Sequence, residues 1–331
     1  MRIGLVAQDE PRHQARLDAA EAHLRKRRGA DVAVKTGKDA ANADALVLFG
    51  ADHFLLDRLA LLNDPVPLLL VGEGFLAETD GENLEEVMGH VAKGDFWVEK
   101  RLRLESTLDG KALSPALNEV TVCTSRGAGF LRYTLTVDEE VVWRDGGDGV
   151  VVSTPTGSTG YGLSAGGPIV VENADAIVVV PICSANHHRP LVLNEAAVVE
   201  VSEVNSTLGC DVVTDGRERV PIKGHTLRVR QAKEPAQFIR FGKAQYFRIF
   251  GKLRERSAGL VLPPGSPPSA KFLYKLLSFE GPMNQKELIA ESGLPERTVR
   301  NALSYLIEQG VVVRYTTLRD TRRAIYGLKK E

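Results

Sequence analysis

DGVVVSTPTGSTGYGLSAGGP, residues 148–168, is the stretch on which the reading of this chain turns. A β-branched run, VVVS, feeds a loop turned by Pro155 and crowded with hydroxyls and glycines. Gly157, Gly160 and Gly162 let the backbone approach a ligand closely. Thr154, Thr156, Ser158 and Thr159 offer donors and acceptors suited to ribose hydroxyls or phosphate oxygens. On glycine and hydroxyl content alone, the plainer reading is a turn-rich surface loop of a β-domain.

The surroundings supply an architecture. Residues 1–100 alternate apolar runs with helical segments (IGLVAQ, then 15–28, VAVK, ALVLFG, VPLLLVG), the order of a parallel α/β unit. From about residue 101 to 244 the texture changes to period-two, β-branched segments such as RLRLEST, EVTVCTS, LRYTLTV and VVEVSEV, which reads as a β-rich domain. A proline-rich linker is expected at 258–269, where GLVLPPGSPPSA has neither helical nor strand pattern. A small α+β domain is expected at 270–331.

Composition fits a packed protein: 43% hydrophobic and 26% charged residues exclude disordered, collagenous and membrane classes. No apolar stretch reaches the ~20 residues that a membrane helix needs, and the start of the chain lacks the apolar core of a signal peptide. A cytoplasmic protein with no membrane partner is the expectation. Cys123, Cys183 and Cys210 lie far apart without CxxC spacing, so neither a disulfide framework nor a metal site is expected. Residues 269–331 hold 11 Lys and Arg against 7 Asp and Glu, net +4, which leaves −5 for the rest. A basic tail on an acidic body points to a polyanionic partner.

The stretch 148–168 closely resembles the signature of the NAD kinase family. The resemblance extends upstream to the ALNE run ending at Asn118 and Glu119, and downstream to PICSANHHRPLVL (181–193) and the pair Asp215 and Gly216. It implies that family's layout, an α/β domain followed by an all-β domain, with the chain returning to the first domain at about 245–257. It also implies that Asn118 and Glu119, with Asp148 nearby, hold the ribose and nicotinamide side of NAD or NADP. Thr159, Gly160, Tyr161 and Ser164 would line the adenosine pocket, with Phe75 contributing. His187 and His188 fall in a loop beside the family's site but offer no obvious metal set.

The first domain departs from the family. Where NAD kinases carry Gly-Gly-Asp-Gly-Thr, this chain reads Gly50-Ala51-Asp52-His53-Phe54, and the glycine-rich segment beyond is compressed to Val71-Gly72-Glu73-Gly74-Phe75-Leu76. In the family the Asp is the proposed base on the ribose 2′-hydroxyl, which makes Asp52 the candidate catalytic residue if the protein is active. His53 and Phe54 are expected to fill volume that phosphate oxygens need, although a cationic His53 would aid phosphate binding. Asp52 reads equally as the N-cap of a helix over FLLDRLALL.

The tail reads as three helices and a hairpin, and resembles a winged helix-turn-helix. Asn284 and Glu287 form a capping-box pattern, and Pro295 opens the third helix. On that helix Arg297, Thr298, Arg300, Asn301 and Ser304 share the polar face. Arg319, Arg322 and Arg323 make a basic wing, and DNA is the implied partner. A homodimer or homotetramer is expected. These expectations combine into an NAD(P)-binding transcription regulator in which phosphoryl transfer is weak or lost. The alternative is an active ATP-dependent NAD kinase making NADP, using ATP and Mg²⁺, with a DNA-binding or autoregulatory C-terminal domain. A hydroxyl kinase of the wider superfamily that includes diacylglycerol and sphingosine kinases ranks behind both.

Overall fold

The computed structural model describes residues 2–26, 43–62, 65–72, 74–81, 83–126, 129–222, 224–242, 266–280, 282–317 and 320–328. Two compact units divide the chain, Met1–Ile249 and Phe250–Glu331.

The first unit opens with β1 (Ile3–Ala7), α1 (Pro11–Lys26), β2 (Ala45–Phe49), α2 (Asp52–Leu61), β3 (Leu68–Val71), α3 (Leu84–Lys93) and β4 (Trp97–Arg101). It continues through β5 (Leu104–Leu108), β6 (Lys111–Ala112), β7 (Glu119–Thr124), β8 (Leu131–Val137), β9 (Glu140–Gly147) and β10 (Gly149–Ser153). A 3-10 turn (Gly157–Thr159) and a single turn of helix, α4 (Tyr161–Ser164), follow. The remaining strands are β11 (Ala176–Ile182), β12 (Leu191–Asn194), β13 (Val199–Asn205), β14 (Cys210–Thr214), β15 (Glu218–Pro221), β16 (Leu227–Gln231) and β17 (Ala236–Arg240).

β2 (ALVLF) and β3 (LLLV) are buried at every position because helices cover both faces of their parallel sheet. Side chains alternate along each strand, so one face of the sheet packs on α1 and α3. The other face packs on α2, joined there by Leu76 and Leu117. Sheet order is β1-β2-β3-β17-β4, with β17 parallel to β3 and antiparallel to β4. The chain therefore returns to the α/β sheet at Ala236–Arg240, within the 101–244 span read as β-rich domain. The return expected at 245–257 lies outside the described residues.

The β-rich part is a sandwich of two six-stranded sheets, β12-β11-β10-β7-β14-β15 and β6-β5-β16-β13-β8-β9. Val120, Val122, Val150, Val152, Tyr133, Leu135 and Val199 are among the side chains filling the space between them. Burying each such Val or Leu contributes roughly 1.5–3 kcal/mol. The outward face of β10 and β11 is apolar too: Val151, Val178, Val180 and Ile182 carry Ala165 and Val170 of the glycine-rich loop. That second apolar face makes the 148–168 stretch a packed element of the fold instead of a free surface loop.

The second unit contains α5 (Pro268–Glu280), β18 (Met283–Asn284), α6 (Gln285–Ser292), α7 (Glu296–Glu308), β19 (Val312–Thr317) and β20 (Asp320–Leu328). The three strands pair in the order β18-β20-β19. The Asn284 side chain accepts from Lys286 and Glu287 N–H while Glu287 accepts from Asn284 N–H, the capping box read from the sequence. Leu273, Leu277, Leu288, Val299, Leu303 and Leu306 build the core of this unit. Helix α5 begins inside the expected linker, at Pro268, whose missing N–H is no loss in a first helical turn. Linker residues 258–265 lie outside the described residues.

Candidate functional site

Antiparallel pairing of β7 with β10 puts Glu119 opposite Ser153, so the Asn118–Glu119 segment meets the start of the glycine-rich loop. The junction is tightly made. Thr154 N–H donates to Asn118 O at 2.9 Å, and Thr154 Oγ1 donates to Leu117 O at 2.6 Å. Gly157 comes so close that an added Cβ would lie 2.1 Å from Asn118 O. Leu117 is fully buried in the core under α2, so the adjoining Asn118 and Glu119 sit where the two halves of the unit meet.

Hydroxyls expected to face a ligand are instead spent on the loop. Thr154 accepts from Gly157 N–H, Ser158 donates to Pro155 O and accepts from Val170 N–H, and Thr159 donates to Thr156 O. Ser153, Thr154, Thr156 and Ser158 are all buried. This corrects the reading of Thr154 and Ser158 as ligand groups: a buried hydroxyl beside a free carbonyl satisfies the backbone first. Thr159 is also buried, whereas Gly160, Tyr161 and Ser164 are exposed along the loop, as is Asp148. The Tyr161 ring lies near Asp148 and Glu119; burial first, and then neighbouring negative groups, push its hydroxyl pKa up.

Asp215 was quoted only as half of a matching pair, and it proves to organise the site. It stands with Gly216 at the tip of the β14–β15 hairpin, both residues at positive φ, the conformation that Asp-Gly favours in a tight hairpin turn. Its buried carboxylate accepts N–H donors from Leu117 (2.8 Å), Asn118 (2.7 Å) and Glu119 (3.2 Å). Hydrogen bonds to a charged acceptor contribute ~1.5–3 kcal/mol each, so Asp215 fixes the backbone of the segment. The sequence signal for this was the DG turn itself, which predicts a hairpin but not what its carboxylate reaches.

Burial, and then the charge of Asp215, raise the pKa of Glu119 to about 8. Burial raises Asp215 as well, but its three N–H donors oppose that. The proton of the pair therefore resides on Glu119, which can donate a hydrogen bond at neutral pH. Between the ordinary carboxylate pKa and about 8 the folded protein holds a proton that the unfolded chain lacks, so stability falls as pH rises through that window. Glu119→Gln, neutral throughout, should remove a pH dependence on the order of a few kcal/mol. Thermal unfolding at pH 5.5 and 8.5 should differ less in the variant; an unchanged difference contradicts the assignment.

On the α/β side, Asp52 is the first residue of α2 and not its cap. Ala51 occupies the cap position without a side-chain bond. The Asp52 carboxylate reaches across to accept from Phe75 N–H (2.8 Å) and Leu76 N–H (3.0 Å). Gly74 passes so near that a Cβ there would lie 2.2 Å from Asp52 Oδ1. Phe75 is half-buried beside it, and Leu76 shares the apolar cluster of Leu117. Asp52 and the Asn118–Glu119 segment are thus tied to one core.

Of the two residues expected to obstruct phosphate, Phe54 is turned into the core and His53 stays exposed. Phe54 is buried against α2's core with Leu55, and Arg58 lies over its ring. His53 is exposed and hydrogen-bonded through Nε2 to Gln8 at 3.0 Å, while Gln8 Oε1 accepts from Ala51 N–H. Helical geometry is the reason: a helix starting at Asp52 swings position 54 inward to the core and position 53 outward. His187 and His188 are near the surface, His188 stacked on Trp143 at 4.6 Å.

Residues 117–241 match the family described as the ATP-NAD kinase C-terminal domain. The NAD kinase of Methanothermobacter thermautotrophicus is 33% identical over 276 residues, covering 77% of this chain and 97% of that protein. The NAD kinase of Methanopyrus kandleri is 37% identical over 214 residues, 62% of this chain and 76% of that one. Among solved structures, an Archaeoglobus fulgidus NAD kinase in complex with ATP aligns with a TM-score of 0.66 at 27% identity, over 77% of this chain and 99% of that chain. Yeast NADH kinase complexed with NADH shares the fold, with a TM-score of 0.69 at 21% identity over 77% of this chain and 87% of that chain.

Proposed function

The chain belongs to the NAD kinase family, and from that premise we propose that it is an ATP-dependent NAD kinase that makes NADP. This replaces the expectation of an NAD(P)-sensing transcription regulator with weak or lost phosphoryl transfer. Relatives at 30–37% identity are named NAD kinases, and Phe54, read as obstructing phosphate, is buried in the core beside Leu55.

The observation that carries the proposal is the placement of Asp52. Two backbone N–H donors hold its carboxylate beside the segment that shares a core with Leu117, and its remaining lone pairs can accept a proton. Asn118, Glu119 and Asp148 hold the ribose and nicotinamide side of NAD, with Glu119 donating from its neutral carboxyl. Gly160, Tyr161, Ser164 and Phe75 line the remaining nucleotide surface, and the buried Thr159 braces it through Thr156 O. The 2′-hydroxyl oxygen attacks the γ-phosphorus of ATP, the bond to ADP breaks, and Asp52 takes the hydroxyl proton. Among the described residues no three His, Cys, Asp or Glu side chains are grouped to hold a metal ion. Mg²⁺ bound to the ATP phosphates would neutralise charge on the transferring group. Purified protein given NAD, ATP and Mg²⁺ should form NADP; NAD binding without turnover would refute the kinase reading.

We further propose that the second unit is a winged helix-turn-helix that contacts DNA. Support comes from α7, whose exposed face presents Arg297, Arg300, Asn301 and Ser304, with Thr298 half-buried and Arg300 paired to Glu296 at 2.6 Å. Arg322 and Arg323 lie on β20, and Arg319 lies outside the described residues. Fluorescence anisotropy with duplex DNA should show binding that weakens with salt, and Arg297→Ala should cost about 1–3 kcal/mol. Salt-independent binding, or none, counts against it. The assembly proposed for the whole protein is a homodimer or homotetramer, which light scattering decides.

A further inference from the structure

Two buried arginines run between the Asp52 side of the site and the glycine-rich loop. Arg101, the last residue of β4, is 2% exposed and bonds to Glu99 at 3.0 Å and Glu172 at 2.7 Å. Arg240, the last residue of β17, is 3% exposed and bonds to Glu99 at 2.7 Å and Glu78 at 3.0 Å. Both guanidinium groups lie over the Phe238 ring, 4.9 and 5.0 Å from its centroid. Burial alone would raise the pKa of Glu99, but the two arginines outweigh it and hold the carboxyl below its ordinary range.

The ends of this five-residue chain reach the two halves of the site. Glu172 lies two residues beyond Val170, whose N–H donates to Ser158 Oγ at 3.0 Å, so the Arg101 pair anchors the return leg of the loop that bears Thr159 to Ser164. At the other end Glu78 N–H donates to Leu70 O, and the next residue, Thr79, accepts from Gly72 N–H. Between Gly72 and Glu78 lie the Phe75 and Leu76 amides that hold Asp52.

We infer that Arg101 and Arg240, joined through Glu99, are positioning residues that set the spacing between Asp52 and the nucleotide loop. Apolar side chains would pack the same space at least as stably, since desolvating charges offsets much of their attraction. What the ion chain adds is direction: each guanidinium donates to its two carboxylates from fixed N–H directions, so a shift at either end breaks bonds along the whole chain. The kinetic part of the test below rests on the kinase reading, and the exchange part does not.

Glu78→Gln and Glu172→Gln keep shape and remove charge at opposite ends. Each should lower kcat/KM for NADP formation several-fold, through the same change in spacing. The double variant should lose less kcat/KM than the product of the single losses, because either break releases the same chain. Hydrogen exchange gives the independent readout: Glu78→Gln should speed exchange of the amides of 158–172, which Glu78 does not touch. Arg101→Lys, which keeps the charge but not the fork, should shift exchange less than Arg101→Met. Losses that multiply, or exchange that changes only next to the substituted residue, overturn the inference. A parent protein without turnover would sink the kinase reading and leave the exchange result to decide this one.

Discussion

Asp52→Asn is expected to lower kcat for NADP formation by about 10²–10⁴-fold while leaving NAD affinity within about threefold. The reasoning is local. Both carboxylate oxygens of Asp52 already accept backbone N–H bonds, from Phe75 and Leu76. An Asn side chain keeps the shape, retains one of the two acceptors, and cannot take a proton from a hydroxyl at neutral pH. Part of any loss could come from the amide NH₂ facing a backbone N–H and pushing the 72–76 segment away. Asp52→Glu separates the two effects, since it restores a base but misplaces it by one methylene. A position that matters as a base should leave Glu more active than Asn; equal activity in both would mean that Asp52 acts only as a brace for the loop. Turnover of Asp52→Asn within about twofold of the parent would remove Asp52 from the chemistry altogether.

Gly157→Ala should be the most damaging single-methyl change in the nucleotide half. The added Cβ would sit 2.1 Å from Asn118 O and 2.5 Å from Asn118 C, both backbone atoms with nowhere to move. Asn118 O already accepts Thr154 N–H, and Thr154 Oγ1 in turn accepts from Gly157 N–H and donates to Leu117 O, so a shift of the loop disturbs three linked bonds. Overpacking at such a site costs about 3 kcal/mol. The expected result is a lower midpoint in urea unfolding together with at least a tenfold loss of NAD affinity, roughly 1.4 kcal/mol. Gly160→Ala is the contrasting control, because a Cβ there meets nothing closer than 3.3 Å. If both variants behave alike, the close approach of Gly157 to Asn118 is not what the glycine is for.

Local signals went only part of the way: the capping box at Asn284 and Glu287 is set by residues three apart, whereas glycine and hydroxyl content alone read 148–168 as a plain surface loop until its long resemblance to the NAD kinase signature was weighed. What the sequence concealed was direction. Thr154 and Ser158 look identical whether they face a ligand or a carbonyl, and only the packing of the loop on Val151, Val178 and Val180 decides. Phe54 and His53 were read by volume, which says what could obstruct but not which way a side chain points once a helix starts at Asp52. Reading by volume fed the expectation of lost phosphoryl transfer, which the NAD kinase relatives overturn and to which the buried Phe54 lends no support.

Long-range pairing was the other blind spot. AQFIR reads as one more strand of the β-rich texture, yet it pairs in parallel with β3 and antiparallel with β4, contacts that no local pattern announces. The same crossover brings Arg240 to Glu78, 162 positions away, and Arg101 to Glu172, 71 positions away. In the sequence these are ordinary charged residues on half-exposed strands; buried, they are a connected group.

The most direct test of the kinase assignment is transfer of label from γ-labelled ATP to NAD by the full chain, with Asp52→Asn run beside it. The expected result is label on the 2′-oxygen of the product, in an amount that depends on the parent protein and collapses in the variant. NAD that binds but stays unlabelled, or label transfer that Asp52→Asn leaves intact, would contradict it.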